Sequence, residues 1–313
     1  MISVVIALYN STKYIVEQLD SIRLQSEPVD EVVMVDDAST DETVAVVDSY
    51  IKKYNLSKWC LYRHKTNMGF VGTFRDALDK STGDIIVLCD HDDIWLYDKI
   101  RTIMGVFRND EGVLALNTSF VKIDENGLIH KEIHSPFKSN NGLIRRRVHK
   151  KLNRMNLKDV LVYNISPGCT CAIRKDLLSD YKNICENIPH DLCLNILAGI
   201  KGGLYYLDVV TTKYRIYQGN TIGLGHEKKL KERTALVQRN LEEKYQEWSI
   251  LKKCNADEYS IGYIQKVIAV FNYRVDYLLT GNICSFVDSL IKSLQINGLY
   301  ESVIIDYIAR LHK

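Results

Sequence analysis

The stretches Val32-Val33-Met34-Val35-Asp36-Asp37 and Ile85-Ile86-Val87-Leu88-Cys89-Asp90-His91-Asp92-Asp93 decide the fold. Each is a short apolar run without the alternation of a half-exposed strand, so each reads as a strand buried on both faces. In open α/β sheets, ligands bind beyond the carboxyl ends of such strands. Both runs end in carboxylates, which therefore face one crevice. An acidic crevice repels a phosphorylated ligand unless a divalent cation stands between them, and carboxylate oxygens suit Mg²⁺ or Mn²⁺. A metal-bridged nucleotide is the economical reading. For Asp36 and Asp37 alone, capping of a helix beginning near Ser39 serves equally well. Three carboxylates within four residues at Asp90 to Asp93 carry a like-charge cost that capping does not require.

Outward from these runs the chain alternates strand and helix. Residues 2 to 8 form a further apolar run, Tyr14, Ile15, Leu19 and Ile22 recur at helical spacing, and Trp59 to Tyr62 suits a strand. After Ile94-Trp95 a helix carries Ile100, Ile103, Met104 and Phe107, followed by a strand at Val113 to Leu116 and a turn at Glu125-Asn126-Gly127. Pro167-Gly168 turns into another short strand, and a helix over residues 191 to 200 leads to a strand at Gly203 to Val210. This alternation predicts an α/β fold with a mostly parallel, doubly wound sheet flanked by helices. Beyond about Gly225 the texture becomes helical, with Leu236, Leu241, Tyr245, Trp248 and Leu251 on one face and later Ile264, Val267, Phe271 and Leu278. The predicted division is a catalytic α/β domain over 1–224 and a C-terminal helical extension over 225–313, which packs against it. Dimerisation or membrane docking are its other readings.

At 313 residues the chain can bury a substantial core, and 46% hydrophobic with 26% charged residues is ordinary globular composition. Lysine and arginine number 41 against 39 acids, so the net charge of +2 predicts no general nucleic-acid affinity. The exception is local: from Leu143 to Lys158 the chain carries Arg145, Arg146, Arg147, Lys150, Lys151, Arg154 and Lys158 with no acid. A solvated helix face accounts for this, as does contact with anionic lipid headgroups or a pyrophosphate. The N-terminal run lacks the basic start and length of a signal peptide, and no stretch approaches the roughly 20 apolar residues of a spanning helix. The expected location is cytoplasmic, with room for peripheral contact at the inner face of the membrane. Reduced thiols are expected for the 8 cysteines. Cys169, Cys171, Cys185 and Cys193 lack the paired spacing of common zinc modules.

Taken together, the motifs resemble the family-two glycosyltransferases of the GT-A fold, in particular the rhamnosyltransferase-like branch that builds bacterial surface polysaccharides. The likeness spans about residues 2 to 224. It rests on Val-Val-Ile-Ala-Leu-Tyr9-Asn10, Val-Asp36-Asp37-Ala-Ser-Thr-Asp41, Asn67-Met-Gly69-Phe-Val-Gly72, Asp90-His91-Asp92-Asp93-Ile-Trp95, Pro-Gly168-Cys169-Thr170, His190-Asp191 and Tyr214-Arg215, in that order.

The resemblance implies an inverting, metal-dependent transfer of one sugar from a UDP- or dTDP-sugar to a glycan or lipid-linked saccharide acceptor. By the same resemblance Asp37 accepts from the pyrimidine ring N–H, Ala7 and Tyr9 line the base, and Asn67 and Gly69 complete the donor pocket. Asp90 and Asp92 hold Mn²⁺ or Mg²⁺ as a DxD motif, and Asp191 is the catalytic base; capping of its own helix is the reading without the family. His91 is a donor-pocket group, because alternating geometry points it away from both aspartates. His190 tunes the base or touches the acceptor, and Trp95, Cys169, Thr170, Arg215 and Tyr217 are candidates for acceptor or diphosphate contact. The family often ends this core in Tyr-Arg-x-His; here Tyr217 replaces the histidine, and a protonated phenol is a poor metal ligand. No Gln-x-x-Arg-Trp string of the processive synthases occurs. A nucleotidyltransferase lacks support because no glycine-rich loop follows the first strand. A catalytically silent carbohydrate-binding scaffold on the same fold would be expected to have lost Asp92 or Asp191, and both are present.

Overall fold

The computed structural model describes residues 1–130, 138–184, 188–217, 230–296 and 299–311. The chain opens with β1 (Ile2–Leu8), α1 (Ile15–Arg23), β2 (Glu31–Asp36), α2 (Thr43–Lys53), β3 (Trp59–Arg63), α3 (Gly69–Lys80) and β4 (Ile85–Cys89). It continues with β5 (Ile94–Trp95), α4 (Lys99–Asn109), β6 (Ala115–Ile123), β7 (Leu152–Arg154), α5 (Leu157–Val160), β8 (Cys171–Arg174), α6 (Leu177–Ile184), α7 (His190–Ile200) and β9 (Leu204–Arg215). Four helices follow: α8 (Leu230–Lys253), α9 (Glu258–Thr280), α10 (Ile283–Ser293) and α11 (Tyr300–Leu311).

The strands form one sheet in the order β3-β2-β1-β4-β8-β6-β9-β5, with β7 added on β9. The first four strands are parallel, as their uninterrupted apolar runs predict. β8 then enters antiparallel to both β4 and β6, so the other half of the sheet is mixed. The strand placed at Val113 to Leu116 starts at Ala115 and runs on to Ile123, paired in parallel with the long β9. One core lies between β1, β2 and β4 and helices α1 and α4; the other joins the opposite sheet face to α3, α6, α7 and the C-terminal helices.

In α9, Ile264, Val267, Phe271 and Leu278 are buried as predicted, each worth about 1.5–3 kcal/mol of transfer free energy. Asp257 caps its start by accepting from Ser260 N at 2.9 Å, and Gly281 at φ +81° ends it in the left-handed region that favours glycine. The predicted face of α8 is borne out in part: Leu251 is buried and Leu241 and Trp248 pack against the core, while Tyr245 is exposed and Arg233, Val237, Lys244, Glu247 and Ile250 are also buried. Lys244 and Glu247 pair at 2.6 Å, which lets two charges be buried beside the apolar residues of this face. The acid-free segment from Leu143 is likewise no continuous helix. It passes through irregular backbone into β7 and the single turn of α5, where Asn156 and Asp159 form a capping box. The expected domain boundary at 224 and 225, and Cys185, lie outside the described residues. Cys193 is disulfide-bonded, a departure from the all-reduced expectation.

Candidate active site

The parallel register brings the carboxylates together. Leu8 lies opposite Asp36 and Ile6 opposite Cys89, so Tyr9, Asp37 and Asp90 leave the sheet at one edge. Because β8 runs the other way, the short 3₁₀ turn Gly168–Thr170 that precedes it arrives at that same edge. Ligand atoms of Asp90, Asp93 and Cys169 all lie within 4.8 Å of one another.

Charge repulsion dominates this cluster. Burial, then the charges of Asp93, Asp92 and Asp191, pushes Asp90 well above the usual carboxylate range. Burial and Asp92 raise Asp93 to about 7. Asp93 Oδ1 accepts from the backbone N–H of Arg215 at 2.9 Å, while its buried Oδ2 has no hydrogen-bond partner. Asp92 Oδ2 accepts from the Tyr217 hydroxyl at 2.9 Å, so Tyr217 occupies the expected place as a hydrogen-bond donor to an acid. The His91 ring is partly exposed, and its buried Nδ1 has no hydrogen-bond partner.

This donor set suits a hard divalent cation. Several carboxylates are crowded together, one buried oxygen is unpartnered, and their raised pKa values mark a site that an added positive charge would relieve. Burial pushes the Cys169 thiol well up, and as a soft donor it adds no hard ligand to the carboxylates. Lys99, a residue that sequence reasoning did not single out, is buried beneath the cluster. Its Nζ donates to Cys169 O at 2.6 Å and Thr212 Oγ1 at 2.8 Å.

Asp191 stands in the first turn of α7 and is 8% exposed. Asn164 Nδ2 donates to its Oδ2 at 2.7 Å. Burial raises Asp191 to about 6 against the opposing pull of backbone N–H groups and Asn164, and Glu243 on α8 adds in the upward direction. Gly168 abuts this carboxyl: a Cβ there would sit 3.4 Å from Asp191 Cγ and 3.3 Å from His190 Nε2.

On the donor side, Asp36 Oδ2 accepts from Ser39 N at 3.0 Å in a local turn, but the helix expected near Ser39 begins only at Thr43, so neither Asp36 nor Asp37 caps it. Asp37 does something else. Its carboxylate accepts from the N–H groups of Met68 (2.7 Å) and Gly69 (2.9 Å) at the start of α3 and lies 2.9 Å from His64 Nδ1. Gly69 adopts φ +73°, where a side chain would be strained, and Asn67 Nδ2 reaches Asp37 O at 3.3 Å. Tyr9 is 47% exposed at the sheet edge beside the partly buried Ala7.

Four expectations for contacts with acceptor or diphosphate change. Trp95 is buried in the core with Lys99 Nζ 4.2 Å from its ring centre. His190 stacks on Phe74 with centroids 3.7 Å apart, has no hydrogen-bond partner and is lowered to about 3 by burial; it is a neutral packing group, not a tuner of Asp191. Thr170 is buried with its hydroxyl on Pro167 O at 2.8 Å. The Arg215 guanidinium is used internally, donating to Asp92 O, Asp124 O, Glu125 O and Glu17 Oε2, and so clamps the acidic loop rather than reaching a diphosphate.

A family profile described as "Glycosyl transferase family 2" matches residues 3–181. The chain belongs to that family. A Rickettsia felis protein named as a glycosyltransferase is 31% identical over 140 residues, 45% of this chain and 22% of its own length. The poly(ribitol-phosphate) beta-N-acetylglucosaminyltransferase TarS of Staphylococcus aureus is 42% identical over 94 residues, 29% of this chain and 16% of its own. The chain thus spans about a fifth of the length of the curated relatives it matches. In structure, TarS 1–349 in complex with UDP-GlcNAc superposes with a TM-score of 0.60 at 21% identity, covering 99% of this chain and 89% of that one. The mannosyltransferase PcManGT of Pyrobaculum calidifontis, in complex with GDP-Man and Mn²⁺, gives 0.57 at 17%, covering 99% and 86%. The fold is of the GT-A type.

Proposed function

We propose that the protein is an inverting, metal-dependent glycosyltransferase that adds single sugars from a UDP- or dTDP-sugar to a glycan or lipid-linked saccharide in bacterial surface polysaccharide synthesis. Residues 1–224 carry the chemistry and residues 225–313 brace them. The observation that carries the reading is that one turn, Gly168–Thr170, touches both Asp191 and the Asp90 cluster: a Cβ on Gly168 would sit 3.4 Å from Asp191 Cγ, and the next residue, Cys169, has its Sγ within 4.8 Å of carboxylate oxygens of Asp90 and Asp93. Family membership and the UDP-GlcNAc held by TarS support the donor class, and the Mn²⁺ of PcManGT supports the metal.

In this reading Asp90 and Asp92, with Asp93 beside them, would hold Mn²⁺ or Mg²⁺, which would supply Lewis-acid stabilisation of the departing nucleoside diphosphate when bound. Asp191, fixed by Asn164, takes the proton of the acceptor hydroxyl as that oxygen attacks the anomeric carbon from the face opposite the leaving group. A carboxylate poised near 6 is ionised at neutral pH yet basic enough to assist. Crowded walls around Gly168 and the stacked His190 limit water at the base. Ala7, Tyr9, Asn67, Gly69 and His91 line the donor side. Asp37 belongs there too, and binding of the base ring N–H adds to the contacts its carboxylate already makes. Work at the inner face of the cell membrane follows from a lipid-linked acceptor.

The test is calorimetric titration of UDP, dTDP, GDP and CMP with and without Mn²⁺ on the wild type and Asp92→Ala. Metal-dependent binding of UDP or dTDP that the variant loses is expected; absence of binding by every nucleotide would overturn the proposal.

A further inference from the structure

The last two helices bury small and polar residues alongside Phe286, Leu290 and Val303 and leave a set of aliphatic residues outward. On α10 the buried positions are Ser285, Ser289 and Ser293, and on α11 they are Ser302, Val303, Asp306 and Ala309. The outward positions are Ile283, Val287 and Ile291 on α10 and Ile304, Ile308 and Leu311 on α11, which are between 44 and 65% exposed. They recur at four-residue and three-residue steps, so each helix presents one aliphatic stripe. The helices are joined by Phe286 and Tyr307, whose ring centroids lie 5.1 Å apart, which sets the stripes side by side as one patch. An aliphatic patch of this kind on a water-exposed surface marks an interaction site.

Charge identifies the occupant. Lys138 and Arg145 both reach Glu301 in the first turn of α11, so the acid-free segment from Leu143 to Lys158 begins at the rim of the patch; of its seven cations Arg145 and Arg146 are ion-paired, with Glu301 and Asp159, while Lys150, Lys151 and Lys158 are exposed. A symmetric contact between two copies through this face would bring two such segments to one rim, a like-charge cost. Anionic headgroups would instead be neutralised by them. We propose that the α10–α11 face docks on an anionic lipid surface, its aliphatic side chains entering the headgroup boundary while residues 143–158 meet the phosphates. The inference stands apart from the chemistry at Asp90 and Asp191.

The experiment is flotation of the full chain with vesicles of phosphatidylcholine alone and of phosphatidylcholine with phosphatidylglycerol. Two double variants accompany the wild type, Val287→Glu with Ile308→Glu and Lys150→Glu with Lys151→Glu, all four positions being exposed. Thermal melts confirm that each folds, and light scattering reports the oligomeric state. Wild type is expected to float with the anionic vesicles, and either variant to lose about tenfold or more in partitioning. Wild type left in solution, or flotation unchanged in either variant, would overturn the proposal. So would a dimer broken by Val287→Glu with Ile308→Glu in a chain that ignores vesicles, which would assign the face to a second copy. A chain that floats but transfers no sugar would leave this inference standing and remove only the enzymatic one.

Discussion

Asn164 Nδ2 lies 2.7 Å from Asp191 Oδ2 and leaves the other carboxylate oxygen free of it. Asn164 is itself held, because Asn195 Nδ2 donates to its Oδ1 at 2.9 Å and Asn117 Nδ2 donates to Asn195 Oδ1 at 2.8 Å. A chain of amides running back into β6 thus fixes the orientation of the candidate base, which is the kind of support that proton transfer needs.

Replacing Asp191 by Asn should lower sugar transfer by about 10²–10⁴-fold while UDP and Mn²⁺ still bind. Stability at neutral pH should hold or rise, since burying the charged form costs at most about 3 kcal/mol for a carboxyl moved from 3.8 to about 6. Product assays and melting curves read both; normal transfer would refute the base assignment.

The same shift fixes a pH profile. Transfer requires the ionised carboxylate, so kcat/KM under saturating metal should climb about tenfold per pH unit below about 6 and level off above it. Stability runs the other way: a carboxyl raised in the fold adds stability as pH falls through about 6 towards its unfolded value. Asp41, lowered to about 2 by hydrogen bonds from Thr12 and Thr43 that outweigh its burial, adds stability above its unfolded value and loses it as pH drops towards 2. A flat activity profile between about pH 5 and 7 would count against Asp191 as the base.

Tyr217→Phe removes only the hydroxyl that donates to Asp92. Groups that orient a metal ligand typically change affinity by about 10–100-fold, so Mn²⁺-dependent UDP binding should weaken without vanishing, whereas Asp92→Ala should abolish it. Calorimetry separates the two, and equal binding by Tyr217→Phe and the wild type would show that the phenol has no part in the metal site.

Asp306 is shared by Arg233 Nε at 2.7 Å and Arg274 Nε at 2.6 Å, deep among α8, α9 and α11. Asp306→Asn strands two buried cations and should cost about 3–5 kcal/mol in denaturant unfolding, against an unchanged affinity of the folded fraction for UDP. A loss under about 1 kcal/mol would mean that water reaches these guanidinium groups.

The sheet and its acidic edge were legible because buried strands announce themselves as apolar runs and because carboxylates at their ends have few structural reasons to cluster. Directions of side chains were not legible. Trp95 and Arg215 sit in the expected motifs yet turn inward, since neither motif spacing nor composition says which rotamer packing selects. Asn164 escaped notice because a loop residue becomes a support for Asp191 only when α5 packs on α7. Lys99 stands at a helix start, where a lysine carries no signal, and its contact with Cys169 depends on the antiparallel entry of β8, which alternation of strand and helix does not foretell. In α8 and α10, charged pairs and serines took buried places that a hydrophobic pattern assigns to aliphatic residues.

The mixed half of the sheet also bears on how the molecule is made. Asp93 and the backbone of Arg215, which meet at the site, are 122 positions apart, and their contact continues the pairing of β5 with β9. Long-range pairings of this sort form slowly. The Asp93 end of the site should therefore form late on refolding, so metal-dependent nucleotide binding should return after the far-UV signal of the secondary structure. A nascent chain that has completed only its parallel half would carry the Asp37 end of the site without the closure of Asp93 on the Arg215 backbone.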